Sequence, residues 1–144
     1  MVVAYHQFEQ ALQANKQSVT QPRRIVFEAL QHKEPLTMHE LMLACGDNID
    51  RASLYRIVAL FERLGIVQRL QIGWKYRLEL SNSFQEHHHH LTCTVCATII
   101  PLHEDSALEQ RLSDIATQQN FTAHDHQLEI RGICARCQVI DISA

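Results

Sequence analysis

Two Cys-x-x-Cys pairs, Cys93/Cys96 and Cys134/Cys137, constrain this chain more than any other feature. A turn of that spacing delivers two thiolates to one ion, and two such turns supply the four tetrahedral ligands of a structural zinc site. Zinc there would staple the segment near Cys93 to the segment near Cys137, help that a small unit needs. A redox dithiol needs one pair, not two. The N-terminal stretch VVAYHQFEQALQANKQ has polar residues every few positions and does not read as a signal peptide. No apolar run is long enough to span a bilayer. The expected location is therefore cytoplasmic, where cysteines serve as metal ligands before disulfides. Cys45 has no partner in sequence and reads as a small buried hydrophobe.

The first pair closes the stretch Glu86–Cys96, EHHHHLTCTVC, which carries four consecutive histidines. If His87–Leu91 is a strand, successive side chains point to opposite faces. His87 and His89 then face one way, His88 and His90 the other, and each pair can serve a separate ion. Thr122–Cys134 alternates polar and apolar residues, so it is expected to be a strand bringing His124 and His126 near. Glu104–Gln119 reads as an amphipathic helix carrying Glu104, Asp105 and Glu109. Such nitrogen and oxygen donors suit zinc, iron or manganese. His6, His32 and His103 read as surface residues without a role.

The charge is divided unevenly. Residues 1–82 carry 10 Lys/Arg against 8 Asp/Glu, and residues 83–144 carry 3 against 8. Seven of the ten histidines and four of the five cysteines fall from position 87 onward, so the acidic part is also the ligand-rich part. This asymmetry predicts two units, residues 1–83 and residues 84–144, and helices with strands expected in both make the chain α+β.

The first unit reads as helices and a hairpin. Val2–Ala14 is a helix with Phe8, Ala11 and Leu12 on one side. Thr20 and Pro22 begin a second, with Ile25, Val26, Ala29 and Leu30 at helical spacing. Thr37 and Glu40 have capping-box spacing, and Gly46 is a natural stop. In the Asp50–Leu64 helix Leu54, Ile57, Val58, Phe61 and Leu64 share a face, while Arg51, Ser53, Tyr55 and Arg56 lie elsewhere. A short helix, a tight turn and a second helix with a polar leading end form a helix-turn-helix pattern. Two short strands around Gly73 follow, which makes the whole a winged helix. Ser53, Tyr55 and Arg56, with Lys16 and Arg23 upstream, are the candidate DNA contacts.

VTQPRRIVFEAL, ASLYRIVALFERLGIVQR, HHHHLTCTVC and LEIRGICARC together resemble the ferric uptake regulator family of metal-dependent repressors, over nearly the whole chain. The resemblance implies a winged helix, a hinge and a small α/β dimerisation domain with a four-cysteine zinc at Cys93, Cys96, Cys134 and Cys137. It also implies a hinge regulatory site at Glu79, His88 and His90. A further site in the dimerisation domain is implied at His87, His89, Glu109 and His126, and Tyr55 and Arg56 are the implied recognition-helix pair. The partners are operator double-stranded DNA and a second copy of the chain, with no membrane and no small-molecule substrate. The cofactors are structural Zn2+ and a regulatory Zn2+, Fe2+ or Mn2+.

Some positions depart from the family pattern. Pro35 stands where many members have a histidine, leaving the fourth hinge ligand to His39, His32 or water. Ser18 replaces a basic residue, with Lys16 nearby. The third histidine of the run replaces a common aspartate, which resembles the zinc uptake regulators. A peroxide sensor of the same family is the alternative. A zinc hydrolase or deaminase needs an open zinc position and a general base. No His-Glu-x-x-His or His-x-Glu…Cys-x-x-Cys pattern is present.

Overall fold

The computed structural model describes residues 2–31, 34–72, 75–124 and 126–141. The chain divides into two compact units, Met1–Glu86 and His87–Ala144, each described here by itself.

In the first unit, helices α1 (Val2–Ala14), α2 (Gln21–Leu30), α3 (Met38–Cys45) and α4 (Arg51–Arg63) precede the antiparallel strands β1 (Val67–Ile72) and β2 (Lys75–Leu80). Phe8, Phe27 and Phe61 are fully buried at its centre. Phe8 stacks on Phe27 with ring centroids 4.2 Å apart and meets Phe61 edge-on at 5.5 Å. Phe27 and Leu60, absent from the stripes read in sequence, are core residues, whereas Ile25 and Leu64 are only half-buried. Wide apolar faces explain this, since a core-facing stripe spans more than one row of a helix.

Most local signals act where the sequence places them, Thr20 being an exception. Thr37 Oγ1 accepts from the Glu40 backbone N–H at 3.1 Å, and Glu40 Oε2 accepts from the Thr37 N–H at 2.7 Å, a complete capping box. The Thr20 side chain makes no cap bond. Gly65, at φ +67°, ends α4: its N–H donates to the Glu62 carbonyl and that of Ile66 to the Phe61 carbonyl. Leu36 adds an isolated bridge to Leu78, with N···O distances of 2.9 and 2.7 Å in the two directions. Arg77 on β2 ties this corner to α3, donating to the Pro35 carbonyl and to Glu40 Oε2, both at 3.0 Å. Gly73, the expected hairpin apex, lies outside the described residues, as does His32.

The second unit holds strands β3 (His88–Cys93), β4 (Ile99–His103) and β5 (Glu129–Gly132), with helix α5 (Ser106–Gln118) before β5 and helix α6 (Ala135–Asp141) after it. The sheet order is β4-β3-β5, antiparallel between β3 and β4 and parallel between β3 and β5. A parallel pair needs a crossover, which α5 supplies. Asp105 caps α5 by accepting from the backbone N–H of Ala107 and Leu108. The strand expected over Thr122–Cys134 is much shorter: 122–124 and 126–128 lie outside any strand. The parallel ladder explains this, because β5 pairs only opposite His90–Cys93. Among the described residues no helix is long and apolar enough to cross a membrane.

Candidate metal centres

The two Cys-x-x-Cys turns meet. Cys93 and Cys96 flank the turn between β3 and β4, while Cys134 and Cys137 lie at the start and within the first turns of α6. One sulfur from each of the four lies within 4.8 Å of the others. Cys96 Sγ and Cys134 Sγ are 3.7 Å apart. Zinc–sulfur bonds of about 2.3 Å in a tetrahedron require sulfurs roughly 3.8 Å apart, so the cluster fits zinc. Backbone N–H groups of Cys96 and Cys134 lower the Cys93 thiol, and the Cys134 N–H lies 3.4 Å from its sulfur. The Thr98 hydroxyl, 3.1 Å away, and then its backbone N–H lower Cys96 to about 5. Burial, followed by hydrogen bonds from Cys134, Cys96 and Cys93, pushes Cys137 up to about 12. An ion binding all four sulfurs displaces the protons that their thiols still carry.

A second cluster forms on one face of the sheet. His89 Nε2 lies 2.7 Å from Glu109 Oε1, and His126 Nε2 lies 3.1 Å from Glu109 Oε2. His87 Nε2 is 3.4 Å from Glu109 Oε1 and 3.1 Å from His126 Nε2. Three imidazoles and a carboxylate therefore aim at one point. Metal–nitrogen bonds of about 2.0–2.1 Å place ligand atoms roughly 3.3 Å apart in a tetrahedron, close to the spacing found. Burial raises the Glu109 carboxyl, but the His89 hydrogen bond and the His126, His87 and His89 charges outweigh it, so the net shift is downward. His126 reaches the cluster from irregular chain rather than from the expected strand, while exposed His124 lies outside the cluster. Glu104 is exposed and Asp105 is used as the helix cap.

His88 and His90 occupy the opposite face of β3, their ring centroids 4.7 Å apart. Glu79 belongs to the first unit, on β2, where its Oε1 accepts from Gln68 Nε2 at 2.6 Å. His39 is exposed on α3. Buried Cys45 packs as expected, and burial raises its thiol. His103, read from the sequence as a surface residue, lies directly across the ladder from His88. Only the β3–β4 register reveals this relation.

The candidate DNA contacts lie in the first unit. On α4, Tyr55 and Arg56 are exposed and Ser53 is half-buried. Arg56 Nη2 donates to Ser53 Oγ at 3.0 Å, and the Arg51 guanidinium lies 5.7 Å from the Tyr55 ring centroid. Lys16, at φ +55°, is exposed just after α1. Arg23 braces the α1–α2 connection through the Ser18 carbonyl and Gln17 Oε1.

Comparison with known proteins agrees with this architecture. Residues 14–131 match the ferric uptake regulator family. The ferric uptake regulation protein of Legionella pneumophila is 34% identical over 126 residues, covering 83% of this chain and 90% of that one. That of Vibrio anguillarum is 36% identical over 132 residues, covering 88% and 87%. The crystal structure of the Vibrio cholerae ferric uptake regulator is 35% identical, covers 88% of this chain and 98% of its own, and superposes with a TM-score of 0.68. These names give no support to the expected zinc-uptake type. With its winged helix, its four-cysteine cluster and a match across most of its length, the chain belongs to the ferric uptake regulator family of metal-responsive, DNA-binding transcription regulators, and is not an enzyme.

Proposed function

We propose that this chain is a repressor that binds operator DNA as a homodimer when a regulatory metal is bound, and so silences metal-uptake genes. The observation that carries the reading is the interleaved histidine run. Alternation along β3 separates His89 from His88 and His90, and His89, with His87 just before the strand, already converges with Glu109 and His126. A protein with one structural ion needs only the cysteine cluster; two further donor sets on opposite faces suit sensing.

In this reading Cys93, Cys96, Cys134 and Cys137 hold structural zinc and keep the second unit folded. His87, His89, Glu109 and His126 hold a second ion. His88 and His90, with Glu79 from the wing, hold the regulatory ion at the hinge. A bound divalent ion supplies a cross-link that selects the DNA-competent arrangement. The α4 helix then presents Ser53, Tyr55 and Arg56 to a major groove, with Lys16 and Arg23 near the backbone. Without the ion, affinity falls by the fraction of molecules in the competent state. The relatives' names favour iron as the regulatory metal, while the unbroken histidine run favours zinc.

The test is metal content measured together with DNA gel shifts across Zn2+, Fe2+ and Mn2+. His88→Ala and His90→Ala should lose metal-dependent DNA binding yet keep the cysteine-bound zinc. Loss of the same single equivalent in His87→Ala, His88→Ala, His89→Ala and His90→Ala would contradict the two-face reading. The peroxide-sensing alternative predicts an added oxygen on His88 or His90 after peroxide treatment of the iron form, readable by mass spectrometry. The ferric uptake names of the relatives do not favour it.

A further inference from the structure

The sheet face turned away from α5 carries another donor. His89 touches Glu109 on α5, so His87 and His89 mark the helix side. Alternation turns His88 and His90 to the other side. On β4, His103 is the register partner of His88, and Pro101 is that of His90. Residues directly opposed in an antiparallel ladder share a face, with Cβ atoms roughly 4.5–5.5 Å apart. His103 therefore stands on the same face as His88 and His90, on the outer strand of the sheet.

Pro101 has no side-chain donor, so among β4 residues opposite this histidine pair only His103 can serve an ion. Its imidazole is exposed and makes no hydrogen bond or ion pair with another described residue. At a cross-strand Cβ separation, rotation about the side-chain torsions is enough to bring a ring nitrogen to an ion at His88. Ladder pairing holds both strands in this register.

We propose that His103, across the ladder from His88, is a third imidazole ligand of the ion held by His88 and His90. The proposal rests on the reading that this histidine pair binds metal. It gives the site a nitrogen-rich donor set from one rigid pair of strands. Imidazole donors suit zinc and iron, whereas oxygen donors suit manganese, so His103 biases the site against Mn2+.

Co2+ titrated into the full-length chain, with its cysteine-bound zinc retained, tests this through visible absorption. A Glu109→Ala background removes the competing cluster. One Co2+ equivalent should bind there. His103→Ala should weaken it at least about tenfold, as loss of a ligand costs no less than loss of a ligand's supporting partner, and should change the d–d band. His103→Gln, which keeps side-chain bulk on the exposed strand, should do the same with an unchanged thermal transition. Parent-like affinity and spectrum in the His103 variants, with binding lost in His88→Ala, would overturn the assignment of His103 alone. Unaltered Co2+ binding in His88→Ala and His90→Ala would overturn the underlying site, and His103 with it.

Discussion

His89 Nε2 sits 2.7 Å from Glu109 Oε1, joining strand β3 to helix α5 through a buried imidazole and a half-buried carboxylate. The same carboxylate meets His126 and His87, so it is the anion around which three histidines are arranged. Glu109→Gln keeps the shape and removes the charge. It should weaken one metal equivalent by at least about tenfold while leaving the cysteine-bound zinc in place. Equilibrium dialysis against Zn2+, followed by metal analysis, reads both quantities. An unchanged stoichiometry and affinity would remove Glu109 from the ligand set.

Cys93→Ser and Cys134→Ser each take one thiolate from a closed four-sulfur cluster. Structural zinc contributes folding energy directly, about 10–16 kcal/mol in isolated zinc-finger peptides. Each variant should lose tightly held zinc and elute as monomer or aggregate. Size-exclusion chromatography with zinc analysis decides it; a zinc-loaded dimer in either variant would contradict the assignment.

Glu40 supplies a pH-dependent test of the winged helix. The Thr37 backbone N–H first, with the Thr37 hydroxyl and Arg77 adding to it against opposing desolvation, holds its carboxyl below the ordinary 4.5. A depressed folded-state value means that its stabilisation is fully present above about 4.5 and lost as pH falls through the folded value. Thr37→Ala should cost about 1 kcal/mol at neutral pH. In urea unfolding followed by circular dichroism, the gap between wild type and Glu40→Gln should hold steady at neutral pH and close in acid. A gap that widens in acid would reverse the sign and refute the cause.

Arg56 is exposed on α4, where its guanidinium donates to Ser53 Oγ. If it reads a base, Arg56→Ala should cost about 1–3 kcal/mol per half-site and relax preference at one position. If it grips phosphate, affinity should fall evenly across sequences, and the salt slope should drop by about one per contact. Affinity measured against salt, with metal bound, separates the roles. No change in either quantity would mean that α4 is not the recognition helix.

Much of this arrangement was legible in the sequence because it depends on short-range signals. Thr37 and Glu40 announce a capping box by spacing alone, and Gly46 marks the end of α3. The Cys-x-x-Cys pairs identify their partners by repetition. Other features depend on long-range pairing. Leu36 joins the wing only because Leu78 lies beside it. Strand β4 has no alternation and contains Pro101, which an outer strand tolerates. Helix α6 is too short for its periodicity to show. His126 reaches Glu109 from irregular chain, so the strand expected there gave the right neighbour for the wrong reason. His103 looked idle until the register set it opposite His88.

Metal held by one face of the histidine run is proposed to control DNA binding. The most direct measurement uses double-stranded DNA selected by the full-length protein from a random pool in the presence of Zn2+ and Fe2+. Fluorescence anisotropy then gives affinity with and without each ion, for wild type, His88→Ala and His87→Ala. Affinity should rise about 5–150-fold with the regulatory ion, the usual range of such coupling. That rise should be absent in His88→Ala and retained, at least in part, in His87→Ala. Equal affinity with and without metal in the wild type, or an intact metal response in His88→Ala, would contradict the proposal.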